Sequence, residues 1–272
     1  MLRSLRGLER YAVTASDGDV GHVANFLFDD ERWTIRYLVI ETAGFLDGRE
    51  VLISPIAIRD IVWSEHRVHL ALTVDSIRHS PRVDSHKPVS RQHEQAYLRY
   101  YRYPAYWGYS DGWSTGAYPE VLATNATSDE PVDLLRAADD DVHLRSAAEV
   151  QGYHVHGSDA GVGHVDDFII DDATWAVRYL VVDTSNWWGG KKVLLSPSWV
   201  DSVNWQEAKV HVAMTRQELK ASPEWNATAP VNRAFEERLY DYYGRPVYWG
   251  TEGLVTVAPP SRAAYAPLGR EF

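Results

Sequence analysis

Cysteine is absent from these 272 residues. That removes disulfides, thiol nucleophiles and cysteine-ligated metal sites, and it fits a reducing compartment. No stretch approaches the roughly 20 apolar residues a membrane-spanning helix needs. The start, MLRSLRGLERYAV, lacks the apolar core of a signal peptide. Basic residues are in the minority: net charge is −11, with no basic cluster. Such a balance repels phosphate backbones and argues against nucleic acid as a partner. Catalytic templates are missing too. There is no GxSxG elbow, no phosphate-cradling GxxxxGK, no HExxH and no GxGxxG after a strand. The sequence reads as a cytoplasmic protein with no membrane insertion, no cofactor and no enzymatic activity.

What is present is a domain written twice. Gly21 aligns with Gly163 at an offset of 142, and the register holds without a gap from Tyr11/Tyr153 to Gly108/Gly250. SDGDVGHV at Ser16–Val23 returns as SDAGVGHV at Ser158–Val165, and FLFDDERWTIRYLVIET at Phe26–Thr42 returns as FIIDDATWAVRYLVVDT at Phe168–Thr184. VLISP at Val51–Pro55 returns as VLLSP at Val193–Pro197, and YYRYPAYWG at Tyr100–Gly108 as YYGRPVYWG at Tyr242–Gly250. The period exceeds the roughly 20–50 residues of solenoid repeats and matches a domain. The expected division is a first domain at 1–108, a linker at 109–142, a second domain at 143–250 and a flexible tail at 251–272.

Each copy reads as short strands followed by a helix. In the first, strands are predicted over Tyr11–Ala15, Val20–Phe28, Trp33–Thr42, Arg49–Ser54, Ile58–Trp63 and Arg67–Val74, with turns at Ser16–Asp19, Asp29–Arg32 and Ser64–His66. Val89–Arg102 has helical spacing, with Ser90 as N-cap and Tyr97, Tyr100 and Tyr101 on one face. In the second copy Asn232 takes the cap position ahead of Phe235, Leu239, Tyr242 and Tyr243. The fold class is mainly β with some α: two tandem small antiparallel β-barrels, each followed by an aromatic-rich helix.

These motifs, DxxVGHVxxFxxDD, then WxxRYLVV, VLxSP and a closing hairpin, resemble the PRC-barrel family in its bacterial tandem form. That family includes the barrel of the photosynthetic reaction-centre H subunit and of a ribosome maturation factor. The resemblance implies small β-barrels and a protein-binding role. The chain differs from the H subunit in having no membrane helix.

Several positions stand out. Asp17/His22 and Asp159/His164 repeat and offer carboxylate and imidazole, the donors of an acid–base pair or metal site. No third ligand follows at fixed spacing, so no metal is expected and the glycine before each histidine is read as a bend or bulge in the strand. Asp29-Asp30 and Asp171-Asp172 read as turn residues, Arg36 and Arg178 as partners of a nearby carboxylate, and His69 and His211 as strand histidines. Tyr106-Trp107 and Tyr248-Trp249 either plug the helix onto the barrel or present an interface. Trp187-Trp188, in a Gly-rich loop before Lys191-Lys192, replaces Phe45-Leu46 of the first copy and is a candidate docking loop. The favoured function is a protein-interaction or scaffold module, with another protein as partner and with the barrels pairing within one chain or in a homodimer. The alternative is a small-ligand or sensor protein with an aromatic pocket between the barrels.

Overall fold

The computed structural model describes residues 1–42, 44, 48–81, 89–103, 142–184 and 190–249. Trp187, Trp188, Tyr106 and Trp107, the tail and all but the last residue of the expected linker lie outside the described residues. In chain order the elements are β1 (Leu2–Ser4), β2 (Ala12–Ala15), β3 (Gly18–Asp29), β4 (Thr34–Thr42), β5 (Glu50–Ile53), β6 (Ile58–Val62) and β7 (Arg67–Leu70). Then come α1 (Val74–Arg78), β8 (Val89–Ser90), α2 (Arg91–Tyr101), β9 (Val142–Ser146) and α3 (Ala147–Val150). The rest are β10 (His154–His156), β11 (Gly161–Asp171), β12 (Val177–Asp183), β13 (Lys192–Leu195), β14 (Val200–Asn204), β15 (Lys209–Val212), α4 (Arg216–Ala221) and α5 (Arg233–Tyr243). No helix among the described residues is long and apolar enough to cross a membrane.

The two repeats build the same topology. One sheet runs β5-β4-β3-β2-β7-β6, the other β13-β12-β11-β10-β15-β14. Neighbours are antiparallel except for one parallel pair in each sheet, β2 with β7 and β10 with β15. That parallel pair is where the all-antiparallel expectation needs correcting: the chain between the paired strands makes the crossover that parallel pairing requires. Among the described strands each hydrogen-bonded order ends without returning to its start, so neither sheet closes there.

Long β3 and β11 carry the register shifts that curl each sheet. One lies opposite Val13/Thr14 in the first repeat and one opposite Val155/His156 in the second, beside the repeated glycines. The expected bulge is therefore present, and the glycines have a further role. A Cβ on Gly21 would stand 2.0 Å from the carbonyl oxygen of Glu41, and one on Gly163 2.0 Å from that of Asp183. Only hydrogen fits where the neighbouring strand passes so close.

Two predicted boundaries need correction. Arg67–Leu70 ends before Val74, because Thr73 caps a short helix there by accepting from the Ser76 N–H. In the second repeat Thr215 and Glu218 form a reciprocal capping box. Val89–Ser90 is a strand paired with β9, and helix α2 begins only at Arg91. Asn232 caps α5 as expected, accepting from Phe235 N–H at 2.9 Å. The left-handed residue ending that helix is Gly244, and its counterpart in the first repeat is Arg102, at φ 56°.

By contacts the chain divides into two compact units. The first is Met1–Val150 with Asp167–Arg178, the second Gln151–Asp166 with Tyr179–Phe272. In the first unit a core of Leu27, Tyr37, Val39, Leu52, Val89, Tyr97, Leu98 and Leu144 joins α2 to the sheet. Tyr97 packs edge-on against Tyr37 at 5.0 Å, and its hydroxyl accepts from Ser54 N–H at 2.9 Å. In the second unit Tyr179 donates to the buried carboxylate of Glu236 on α5 at 2.8 Å. Complete burial pushes the Tyr97 hydroxyl pKa well up, and burial does the same for Tyr179.

The first unit also holds a reciprocal strand exchange. β1, from the first repeat, pairs with the end of β11 in the second: Leu2 with Asp171, Arg3 with Ile170, Ser4 with Ile169. β9, from the second repeat, pairs with the end of β3 in the first: Leu144 with Asp29, Arg145 with Phe28, Ser146 with Leu27. Every one of these pairs maps onto its counterpart at the repeat offset. Side chains follow the same rule. Arg3 pairs with Asp172 at 3.3 Å and Arg145 with Asp30 at 2.9 Å. Ser4 donates to Asp167, and Ser146 accepts from Asn25. The hairpin tips match as well: Ile35 N–H donates to Trp175 O, and Val177 N–H to Trp33 O. Within the first unit, each repeat thus supplies a strand that pairs with a strand of the other.

Candidate functional site

The repeated Asp/His pairs do not act as pairs. Asp17 Oδ1 accepts from Val74 N–H at 2.7 Å, and Asp159 Oδ1 from Arg216 N–H at 2.8 Å. Both carboxylates sit at helix starts, where they satisfy an orphan N–H and complement the dipole. His22 instead faces Glu41, with Nε2 3.3 Å from its carboxylate, and both side chains are about half exposed.

His164 has a different setting. Its ligating atoms and those of Asp166 and Asp183 all lie within 4.8 Å of one another, and the three residues are half-buried. Lys192 Nζ stands 2.6 Å from Asp166. No fixed sequence spacing reveals this third donor, because Asp183 reaches His164 from the neighbouring strand rather than along the chain.

The same face carries His154 opposite His164 and His156 opposite His211. The His156 and His211 rings lie 5.6 Å apart. Desolvation first, then the charge of a protonated His211, lowers the His156 pKa from its ordinary value. A histidine whose folded pKa is depressed favours the folded state above its unfolded pKa of about 6.5, and that contribution is lost as pH falls. His156→Asn should therefore show a shallower decline of unfolding free energy than wild type from about pH 7 to pH 5, read by urea titration at each pH. Parallel declines would exclude this histidine as a source.

The acidic hairpin residues behave as turn and ion-pair groups. Asp29 accepts from the N–H groups of Glu31 and Arg32 and pairs with Arg36 at 3.1 Å, both side chains almost fully buried. Asp171 repeats this with Ala173 N–H and with Arg178 at 3.3 Å, in a more exposed setting.

Of the aromatic candidates, Tyr248 and Trp249 fall within the described residues, and both turn inward. Tyr248 donates to Glu236 at 2.6 Å, and Trp249 meets Tyr240 edge-on at 5.1 Å. The Arg233 guanidinium lies 4.0 Å from the Trp249 ring centroid. This pair closes α5 within the second unit. The large apolar side chains left exposed among the described residues are Met1, Tyr100 and Tyr242. The two tyrosines are repeat equivalents whose hydroxyls donate to Ser76 O and Glu218 O, both at 2.8 Å.

A concave surface lies in the first unit, beside β6. A groove of about 430 Å³ is lined by Pro55, Ile56, Ile58, Arg59, Asp60, Ile61 and Trp63 together with Asp172, Ala173 and Trp175. Ile56, Ile58, Ile61 and Trp63 are half-buried, while Arg59 and Asp60 are exposed. Arg3 lies over the Trp63 ring at 4.1 Å. β6 ends the sheet order, with β7 as its one hydrogen-bonded neighbour among the described strands. The sequence gives no sign of the groove, because the hairpin tip that forms one wall is more than a hundred residues from β6.

A β-rich sheet curled by paired bulges, with an edge groove and no catalytic template in its sequence, defines a small β-barrel module. The family model of the PRC-barrel domain matches residues 143–214. That segment is similar to the PRC-barrel domain, and the first repeat builds the same topology from the same motifs. No curated protein matches the chain.

Proposed function

We propose that the chain is a non-enzymatic, cytoplasmic protein-interaction or scaffold module that docks its partner beside β6. The groove there is the observation that supports this reading. An edge strand offers backbone donors and acceptors to an extended segment of a second protein. The half-buried Ile56, Ile58, Ile61 and Trp63 beside it give a partner side chain an apolar seat, and Arg59, Asp60 and Asp172 supply a polar rim.

The test is capture by the tagged full-length chain from the native cytosol, with wild type beside Trp63→Ala/Ile56→Asp and Trp187→Ala/Trp188→Ala. A specific protein lost in the groove variant, with its circular dichroism unchanged, is the expected result. Loss confined to the tryptophan-loop variant would move the contact to that loop.

A second reading rests on the cavity's volume, which falls within the range of small-molecule pockets. A small-ligand or sensor protein would show ligand-dependent thermal stabilisation abolished by Trp63→Ala, with no captured protein.

A further inference from the structure

The second unit holds a donor set that the docking role leaves unused. β11 presents His164 and Asp166 two residues apart, so they share a strand face. Asp183, closing β12, joins them from the next strand, and the three ligating atoms lie within 4.8 Å of one another. Ligand bonds of about 2.0–2.2 Å hold donors roughly 3.5 Å apart around one ion, so side-chain adjustments of about an ångström close the set.

Backbone geometry makes this convergence rigid. Gly163, directly before His164, lets β11 pass so near the Asp183 carbonyl that a Cβ would stand 2.0 Å from it. The strands holding the donors are fixed at their closest possible approach.

The comparison between repeats points the same way. At the equivalent positions the first repeat has His22, Ala24 and Glu41, and there His22 pairs with Glu41. The second repeat adds a carboxylate at Asp166, shortens the other to Asp183 and replaces Glu50 by Lys192. Lys192 places its ammonium 2.6 Å from Asp166. A cation is thus already drawn to the donor set from within the chain.

We propose that His164, Asp166 and Asp183 form a binding site for a divalent transition cation of the zinc class, which displaces the Lys192 ammonium from Asp166. One imidazole and two carboxylates suit such an ion better than calcium, which prefers six to eight oxygens. Three protein ligands leave coordination positions to water. The neighbouring His156 and His211 form the competing imidazole pair, and the test must separate the two.

Zinc chloride is titrated calorimetrically into chelator-treated full-length protein. One equivalent is expected to bind, with affinity reduced at least about tenfold in His164→Ala and in Asp183→Asn. His22→Ala, at the equivalent position of the first repeat, is expected to match wild type. Lys192→Ala is expected to bind more tightly, because the competing cation is gone. If Asp183→Asn fails to fold, Asp166→Asn gives the same reading. Absence of zinc binding would overturn the proposal. So would binding that survives His164→Ala and is lost in His211→Ala, or a Lys192→Ala variant with unchanged or weaker affinity.

Discussion

Gly163→Ala is expected to cost on the order of 3 kcal/mol or more of folding stability and to lower Tm by roughly 10 °C. The new methyl would lie 2.0 Å from the Asp183 carbonyl oxygen, 2.9 Å from its carbon and 3.1 Å from Thr184 Cα. These are backbone atoms in the middle of a sheet, so no rotamer change relieves the clash. β11 and β12 would have to separate, breaking their ladder beside the buried Val165 and Val182. Gly21→Ala meets the same obstacle, with Glu41 O at 2.0 Å and Thr42 Cα at 2.8 Å. Differential scanning calorimetry of both variants checks this, with Gly44→Ala as control, since a Cβ there has no atom within 4 Å. A Gly163→Ala protein with an unchanged Tm would show that the sheet yields where its geometry says it cannot.

The same glycine explains why the fold is easier to read than the sites. The alternation of apolar residues in FLFDDERWTIRYLVIET, the Asp turns and the VLxSP stops are local signals, and the strands and turns they predict match the structure closely. The twofold recurrence of those signals is enough to mark Gly21 and Gly163 as special. The bulge reading captures half of their role. The steric half depends on Glu41 and Asp183, which reach the glycines only once β4 and β12 fold back.

Contacts across distant strands are out of reach for the same reason. His164, Asp166 and Asp183 form one cluster, yet the chain separates the last of them by an entire hairpin. The aromatic motifs are easier to read. Helical spacing favours the plug over the interface for Tyr248 and Trp249, and their contacts with Glu236 and Tyr240 fit that reading. The short helices at Val74 and Arg216 carry usable signals, Thr73 and the Thr215–Glu218 box, which a strand extended over them hides.

One long-range feature does leave a trace. Leu2-Arg3-Ser4 and Leu144-Arg145-Ser146 are the same tripeptide at the repeat offset, so the duplication extends upstream of Tyr11. These are the two exchanged strands. The trace is short, and nothing in three residues says which repeat they will pair with. The pairing follows from Asp167, Asp172 and their counterparts Asn25 and Asp30, which receive Ser4, Arg3, Ser146 and Arg145 in turn.

A chain lacking residues 1–5 is expected to lose at least as much stability as the glycine variants and to self-associate. Leu5 is completely buried, and its N–H donates to Phe168 O at 2.8 Å. Deleting a buried leucine side chain alone costs about 2–5 kcal/mol. The truncation also removes the Ser4 hydroxyl from Asp167, a carboxylate that is 4% exposed and whose pKa burial already raises despite its hydrogen bonds. Leaving such a group short of donors adds a desolvation cost of roughly 1–3 kcal/mol. Beyond the energy, the truncation bares the edge of β11 from Ile169 to Asp171, and an open apolar edge recruits whatever strand is available. The nearest supply is a second copy of the protein. Size-exclusion chromatography with light scattering should therefore show concentration-dependent association of the truncated chain. A synthetic peptide of residues 1–8 should suppress that association and restore part of the Tm. Arg3→Ala, which removes one partly exposed ion pair and the guanidinium over the Trp63 ring but leaves the strand in place, should do neither. A truncated protein that stays monomeric with an undiminished Tm would mean that β1 is an ornament on a sheet already complete. The exchanged strand would then contribute nothing to the stability of the first unit.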